Sequence, residues 1–282
     1  MWGPAHVDGD ILIGALVEYG IGGRVPTSFS KVMAKADRLV AGGSAERMGL
    51  DLGPVRRDEL MELLRDEAGL GADDGKGLWV DPHRLLGRLQ SVAARLRTAA
   101  TEGQTVLITT GHPVGLSMLY LRIAELVEAG GASVITPANG EHWAERSRAI
   151  DARSPSAVGK SLLRRGRDRW RPPPDRRIAY VAGVGLVTDG RSALHTHGGT
   201  AMERMLDHGR PDLVMADHGL AGAAIAAGVE TIAIADVNDP ALIVAHARGQ
   251  LEHLLVMDDN TAPDRYWPCY RAIAGTFPPV KA

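Results

Sequence analysis

Residues 211–239, PDLVMADHGLAGAAIAAGVETIAIADVND, decide the fold. Residues 213–216 form an apolar run of strand length, residues 220–227 are small, glycine-punctuated and helix-compatible, and residues 231–235 are a second apolar run. The stretch therefore reads as one β-α-β unit. Both runs end in acid: Asp217-His218-Gly219 follows the first, and Asp236-Val237-Asn238-Asp239 the second. In an open α/β sheet the ligand crevice lies outside the carboxyl ends of the strands, where loops and helix N-termini surround one point. Chemistry is expected at that edge.

Upstream, residues 106–108 predict a strand, followed by Thr109-Thr110-Gly111-His112-Pro113-Val114-Gly115, a helix to about residue 127, and a strand at 133–136. Exposed N–H groups at such a helix start suit a phosphate or other anion, which makes Thr110, Gly111 and His112 candidate phosphate-binding residues. An ordinary β-α turn explains the same residues. The sheet resumes at 178–182, where Gly183-Val184-Gly185 begins like a dinucleotide fingerprint, but its third glycine would fall at Thr188. Residues 184–188 and 191–197 instead predict a hairpin joined by Asp189-Gly190, a favoured turn pair. A period of two puts His195 and His197 on one face. Such a pair can ligate metal, donate to a phosphoryl group or act as acid and base, and it can equally be plain surface. Residues 254–257 predict a last strand, ending in Asp258-Asp259-Asn260.

Residues 1–99 read as mainly helical, with apolar positions at helical spacing over 28–40, 57–67 and 83–96. Asp81-Pro82 is a helix start signal, so a capping role explains Asp81 without catalysis. The expected fold is α/β: a mostly parallel Rossmann-like sheet with a β-hairpin insertion, preceded by a mainly helical N-terminal region. The expected division is 1–99 for that region and 100–282 for the α/β domain.

With 282 residues, 45% of them hydrophobic, the chain can bury a sizeable core. A formal charge of -2 points to neither a nucleic-acid nor a membrane partner, and the lone Cys269 excludes an intramolecular disulfide and fits a reducing cytoplasm. The start, MWGPAHVDGD, has no basic n-region, and the apolar segment 11–17 is too short to span a bilayer. Ten arginines lie between Arg146 and Arg177, around Pro172-Pro173-Pro174. The run reads as solvated surface or as a basic flap attracting an anionic substrate; only Trp170 interrupts it, too little aromatic character for nucleic acid. Gly159-Lys160-Ser161 lacks the earlier glycine and the preceding strand of a phosphate-binding loop.

Carboxylates gathered at several strand ends repel one another unless a cation offsets them. Asp236, Asp239 and Asp258 are thus candidate ligands of a divalent metal, with Mg or Mn favoured by oxygen donors and Zn or Fe admitted by the histidines. Thr110-Gly111-His112-Pro113, Leu194-His195-Thr196-His197, Ala216-Asp217-His218-Gly219, Ala235-Asp236 through Asn238-Asp239-Pro240-Ala241-Leu242, and Asp258-Asp259 followed by Tyr266 together resemble an actinobacterial family of phosphatases. The resemblance runs from about Gln104 to Tyr270 and is loose over the N-terminal third. It implies a soluble phosphatase and carries no residue roles.

The expected activity is hydrolysis of a small metabolite's phosphate monoester, a reaction whose enzymatic acceleration reaches roughly 10^21-fold and so demands fixed positive charge and an activated nucleophile. In that reading Thr110, Gly111 and His112 hold the phosphate, and His195 and His197 stabilise charge or protonate the leaving oxygen. Asp217, beside His218, is nucleophile or activates water. The alternatives are an oxidoreductase or transferase with a nucleotide cofactor at the same edge, against which the broken glycine fingerprint counts, and a non-catalytic small-molecule sensor.

Overall fold

The computed structural model describes residues 7–69, 78–144 and 175–277. Gly159-Lys160-Ser161 and most of the arginine-rich run lie outside the described residues. The N-terminal region carries helices α1 (Gly9–Glu18), α2 (Phe29–Val40), α3 (Arg57–Ala68) and α4 (Pro82–Thr101). It also holds a short antiparallel ribbon that the apolar pattern did not predict, β1 (Gly23–Val25) against β2 (Leu78–Val80). Asp81 caps α4, its carboxylate accepting the N–H groups of His83 at 2.9 Å and Arg84 at 3.3 Å, with Pro82 opening the helix.

The remaining strands are β3 (Thr105–Thr109), β4 (Ser133–Val134), β5 (His142–Ala144), β6 (Asp175–Val181), β7 (Val184–Thr188), β8 (Leu213–Asp217), β9 (Thr231–Ala235) and β10 (His253–Val256). They build one eight-stranded sheet in the order β10-β9-β8-β3-β7-β6-β5, with β4 also on β3. Pairing is parallel from β10 to β7 and antiparallel from β7 through β6 to β5. The helices between them are α5 (Ser117–Ala129), α6 (Thr200–His208), α7 (His218–Ala226), α8 (Pro240–Ala247) and α9 (Trp267–Ala274).

The runs at β8 and β9 are continuously apolar because helices cover both faces of the sheet. Alternate residues serve alternate faces. Leu213, Met215, Ile232 and Ile234 pack with α1, α4, α5 and α9, while Val214, Ala216, Ala233 and Ala235 pack with α2, α3, α6, α7 and α8. The N-terminal helices thus contribute to both layers. Among the described residues, no helix is long and apolar enough to cross a membrane.

The hairpin lies one turn earlier than the sequence predicts. Strands β6 and β7 form it, with Val181 opposite Val184 and a two-residue turn, Ala182-Gly183, whose φ angles of 42° and 81° suit the primed turn of a twisted hairpin. Residues 191–197 are not a strand. At Val184 and Gly185 both edges of β7 are taken, by β3 and by β6, so after Asp189-Gly190 the chain makes only one bridge, Thr188 to Ala193. It then crosses toward the end of β3, where the Thr196 N–H donates to the Gly111 carbonyl at 3.0 Å.

Because Asp81 is a cap at the far start of α4 and lines neither cavity described below, Asp81→Ala is expected to cost about 1 kcal/mol of stability. Urea unfolding should register that loss while phosphate-ester turnover stays at the wild-type value.

Candidate functional site

Four parallel strands deliver their ends to one edge. Past β3 comes His112, past β8 His218, past β9 Asp236 to Asp239, and past β10 Asp258 and Asp259. The crossing segment 194–199 adds His195 and His197. Around these side chains lies a cavity of about 350 Å³, closed on another side by Pro26, Thr27, Ser28 and Lys31 at the start of α2. Four of its lining residues are histidines, His112, His195, His197 and His218, and three are aspartates, Asp236, Asp258 and Asp259.

The four imidazoles are in mutual contact, with ring centroids 4.0 Å apart for His112 and His195, 4.2 Å for His112 and His218, and 4.3 Å for His197 and His218. Ring nitrogens face one another at 2.6 Å between His218 Nε2 and His112 Nδ1, and at 3.0 Å between His195 Nε2 and His197 Nε2. His218 Nδ1 lies 2.7 Å from Asp239 Oδ2, and its Nε2 lies 3.1 Å from Asp259 Oδ2. Despite that crowding, His218 Nδ1 and Asp259 Oδ2 are buried without a well-aligned hydrogen bond. Two groups present donors close enough to hold a metal ion: His112, His195 and His218, and His197, His218 and Asp239.

Burial and charge explain the protonation states. Burial first, and then the neighbouring imidazoles, push His112 down to about 2. His195 and His197 are lowered mainly by desolvation and then by His218. Neutral imidazoles of this kind keep a lone pair for a metal. For His218, burial pulls downward, but Asp239 and then Asp259 outweigh it and raise the ring well above its ordinary value. Burial likewise pushes Asp239 upward, yet His218 and Lys35 hold it well below the usual carboxylate range; Lys35 Nζ sits 3.0 Å away. Burial, followed by Asp259, Asp239 and Asp258, lifts Asp236 to about 8, and mainly burial lifts Asp258 to about 6.

Two local devices aim the histidines. His218, first residue of α7, holds a left-handed backbone with φ of 46°, a strain of roughly 1–3 kcal/mol in a non-glycine residue that turns its ring into the cluster. Glycines seat the 194–199 segment. A Cβ on Gly111 would collide with the Thr196 carbonyl, and one on Gly219 with the His197 carbonyl. Gly111 and Gly219 thus let the chain carrying His195 and His197 lie directly on the turns carrying His112 and His218.

The structure brings His112, His195, His197, His218, Asp236 and Asp258 to the cavity and puts Asp239 behind His218. Asp217 is elsewhere. It is fully buried, lines no part of the cavity and makes no cap bond to its own helix; it accepts the Thr110 hydroxyl and, at 2.7 Å, the Gly111 N–H. The Thr110 N–H goes to the Gly185 carbonyl and the His112 N–H to Thr110 Oγ1, so all three amides at 110–112 are engaged within the protein. α5 begins only at Ser117. No amide cradle is open there, and only the His112 ring reaches the cavity.

Sequence reasoning missed Thr27, Lys31 and Lys35. Thr27 donates to both Asp236 oxygens at 3.1 and 3.2 Å, Lys31 lines the cavity, and Lys35 pairs with Asp239. The spacing of four was the available signal for Lys31 and Lys35, which it puts on one face of α2, while Thr27 lies just before the cap residue Ser28. Among the described residues Lys31 forms no salt bridge.

Imidazoles and carboxylates crowd at the strand ends of a parallel sheet, in groups that could hold a metal ion. The chain belongs to the Phosphatase family, which it matches over residues 7–275, and it is a phosphatase, a hydrolase of phosphate esters. It is similar to Phosphatase SCO2771 of Streptomyces coelicolor, at 30% identity over 264 residues with 89% of each chain covered.

Gly219→Ala is expected to push out the segment bearing His195 and His197, at a stability cost of about 1–3 kcal/mol for overpacking that urea unfolding would measure. Gly87→Ala is the contrasting control, because a Cβ there meets nothing within 4 Å inside α4; it should stabilise by roughly 0.5–1 kcal/mol. Unchanged stability in Gly219→Ala would remove the seating role.

A pH test follows from His112. Its folded value of about 2 lies below the ordinary 6.5, so between the two the unfolded chain binds more protons and stability falls as pH drops below 6.5. With a chelator present, wild type should therefore lose Tm relative to His112→Asn between pH 7 and pH 5. A Tm gap independent of pH would mean that the ring is not held neutral.

Proposed function

We propose that the protein hydrolyses the phosphate monoester of a small molecule with the help of a transition metal ion held by the histidine cluster. The observation that carries the reading is the gathering of metal-type donors, His112, His195 and His218 in one group and His197, His218 and Asp239 in the other, with a buried, unaligned nitrogen on the shared His218 ring. The raised His218 ring can supply the proton between its Nε2 and His112 Nδ1, 2.6 Å away, and a bound ion would take that proton's place. The donor sets, three nitrogens in one group and two nitrogens with one oxygen in the other, favour Zn, Fe or Mn over Mg. Asp239 alone of the three aspartates expected as ligands belongs to such a group. A bound ion of this kind supplies Lewis acidity toward a phosphoryl oxygen and lowers the pKa of water.

The chain's own residues account for the remaining requirements. Lys31, cationic and inside the cavity, offsets the phosphoryl charge in place of the amides expected at 110–112. Asp258 lines the cavity with its carboxyl lifted to about 6, close enough to neutrality to pass a proton to the departing alkoxide as water's oxygen bonds to phosphorus and the ester bond breaks. Asp217 acts as a positioning residue, fixing the Thr110-Gly111 turn from which His112 projects. Its proposed role thereby moves from nucleophile to support.

The test is reconstitution. Protein stripped by a strong chelator should lose turnover of p-nitrophenyl phosphate and of small phosphate esters and regain it with Zn, Mn or ferrous iron. Lys31→Ala should lower kcat/KM by 10-fold or more at full metal content. Undiminished turnover after metal removal, verified by elemental analysis, would overturn the metal-assisted reading.

A further inference from the structure

A second cavity, of about 530 Å³, adjoins the first, and the two share Pro26, Thr27 and Ser28 as a common wall. Its chemistry is different. The first cavity is walled by aspartates and imidazoles, whereas the second brings together Arg24 and Arg265, with Tyr19 and Val25 among its apolar surface and, among the described residues, Glu18 as its one acid. The two arginines come from opposite ends of the chain, Arg24 from β1 and Arg265 from the short 3-10 helix Pro263–Tyr266. Both are exposed.

A phosphate monoester bound at the histidine cluster must send its organic part somewhere. The strand ends close one side, and the wall at Pro26 to Ser28 leads toward the arginine compartment. Guanidinium groups present planar forks that match a carboxylate or a phosphate in two parallel hydrogen bonds, and two arginines lining one compartment favour an anion over a sugar hydroxyl or an aromatic ring.

Resting on the phosphatase reading of the first cavity, we infer that the second is the specificity compartment, and that the preferred substrate is a phosphate monoester whose organic part carries a second anionic group. That group, a phosphate or a carboxylate, is held by Arg24 and Arg265 while the scissile phosphate lies at the histidine cluster. A substrate of this class has its charge recognised at two places. The cluster, a proposed metal and Lys31 take one anion; the arginines take the other.

The decisive measurement is binding, which does not depend on turnover. Metal-loaded protein is titrated calorimetrically with an alkane bisphosphonate, a phosphonocarboxylate of equal length and the corresponding alkyl monophosphonate. The doubly anionic ligands are expected to bind at least about tenfold tighter than the monophosphonate, the scale of one charge-assisted pair. The bisphosphonate and phosphonocarboxylate arms separate phosphate from carboxylate preference. In Arg265→Gln, and in Arg24→Gln with Arg265→Gln, the ratio of the two affinities should collapse toward one. Equal affinities in wild type, or a ratio untouched by the substitutions in folded variants, would overturn the inference. Failure of the monophosphonate to bind, or absence of any phosphate-ester hydrolysis, would count against the reading of the first cavity. Steady-state kinetics adds the matching readout: in the arginine variants, KM for a sugar bisphosphate should rise relative to that of the same sugar's monophosphate.

Discussion

The contact between His218 and Asp239 is the one on which the site's geometry depends. Both side chains are buried, and a charge removed from water must be met by a partner or it neutralises. Each supplies the other. Asp239 stays ionised because His218 and Lys35 face it, and His218 reaches its place through a strained backbone that the surrounding packing holds. The remaining imidazoles are ordered around that ring. His112 and His197 sit against it at centroid distances near 4 Å, and His195 leans on both of them. Removing the carboxylate would leave a buried cation facing Asp259 alone, and truncating the imidazole would leave a buried anion with Lys35 as its one charged partner among the described residues.

The parallel core of the fold was legible because β8, β9 and β10 are buried on both faces. Runs such as Ile232 to Ala235 have no polar position to confuse the pattern, and the acid after each of these runs marks the strand end. Residues 191–197 misled for a definite reason. Alternation and an Asp-Gly turn describe a strand only if an edge is free to receive it, and the occupancy of β7's edges is a property of the sheet, invisible in the local sequence. The two histidines still converge, since the same extended backbone that failed to pair was bonded to Gly111 instead.

Within the site, residue types were legible and roles were not. The acids and histidines at strand ends could be read from their position after apolar runs. Which of them face the cavity depends on backbone direction after the strand, and here Asp217 turns inward to the Thr110-Gly111 turn while His218 turns outward. The glycines of both motifs also carried a different meaning from the expected one. Gly111 and Gly219 lack a side chain so that a neighbouring segment can lie on them, and only Gly111's carbonyl, not an open amide, meets that segment. Thr27, Lys31 and Lys35 escaped notice because they lie on an N-terminal helix and its lead-in, with no motif, brought to the strand ends by tertiary packing.

Strands β4 and β7 share one edge of β3. Ser133 and Val134 pair with Thr105 and Val106, and Val184 and Gly185 pair with Ile108 and Thr109. Between them in sequence, β5 and β6 add an antiparallel flank along the far edge of β7, hydrogen-bonded into the sheet. A change of length within β6 therefore breaks ladder bonds to β7, whereas the strand ends that border the cavity of histidines and aspartates lie on the other side of that strand.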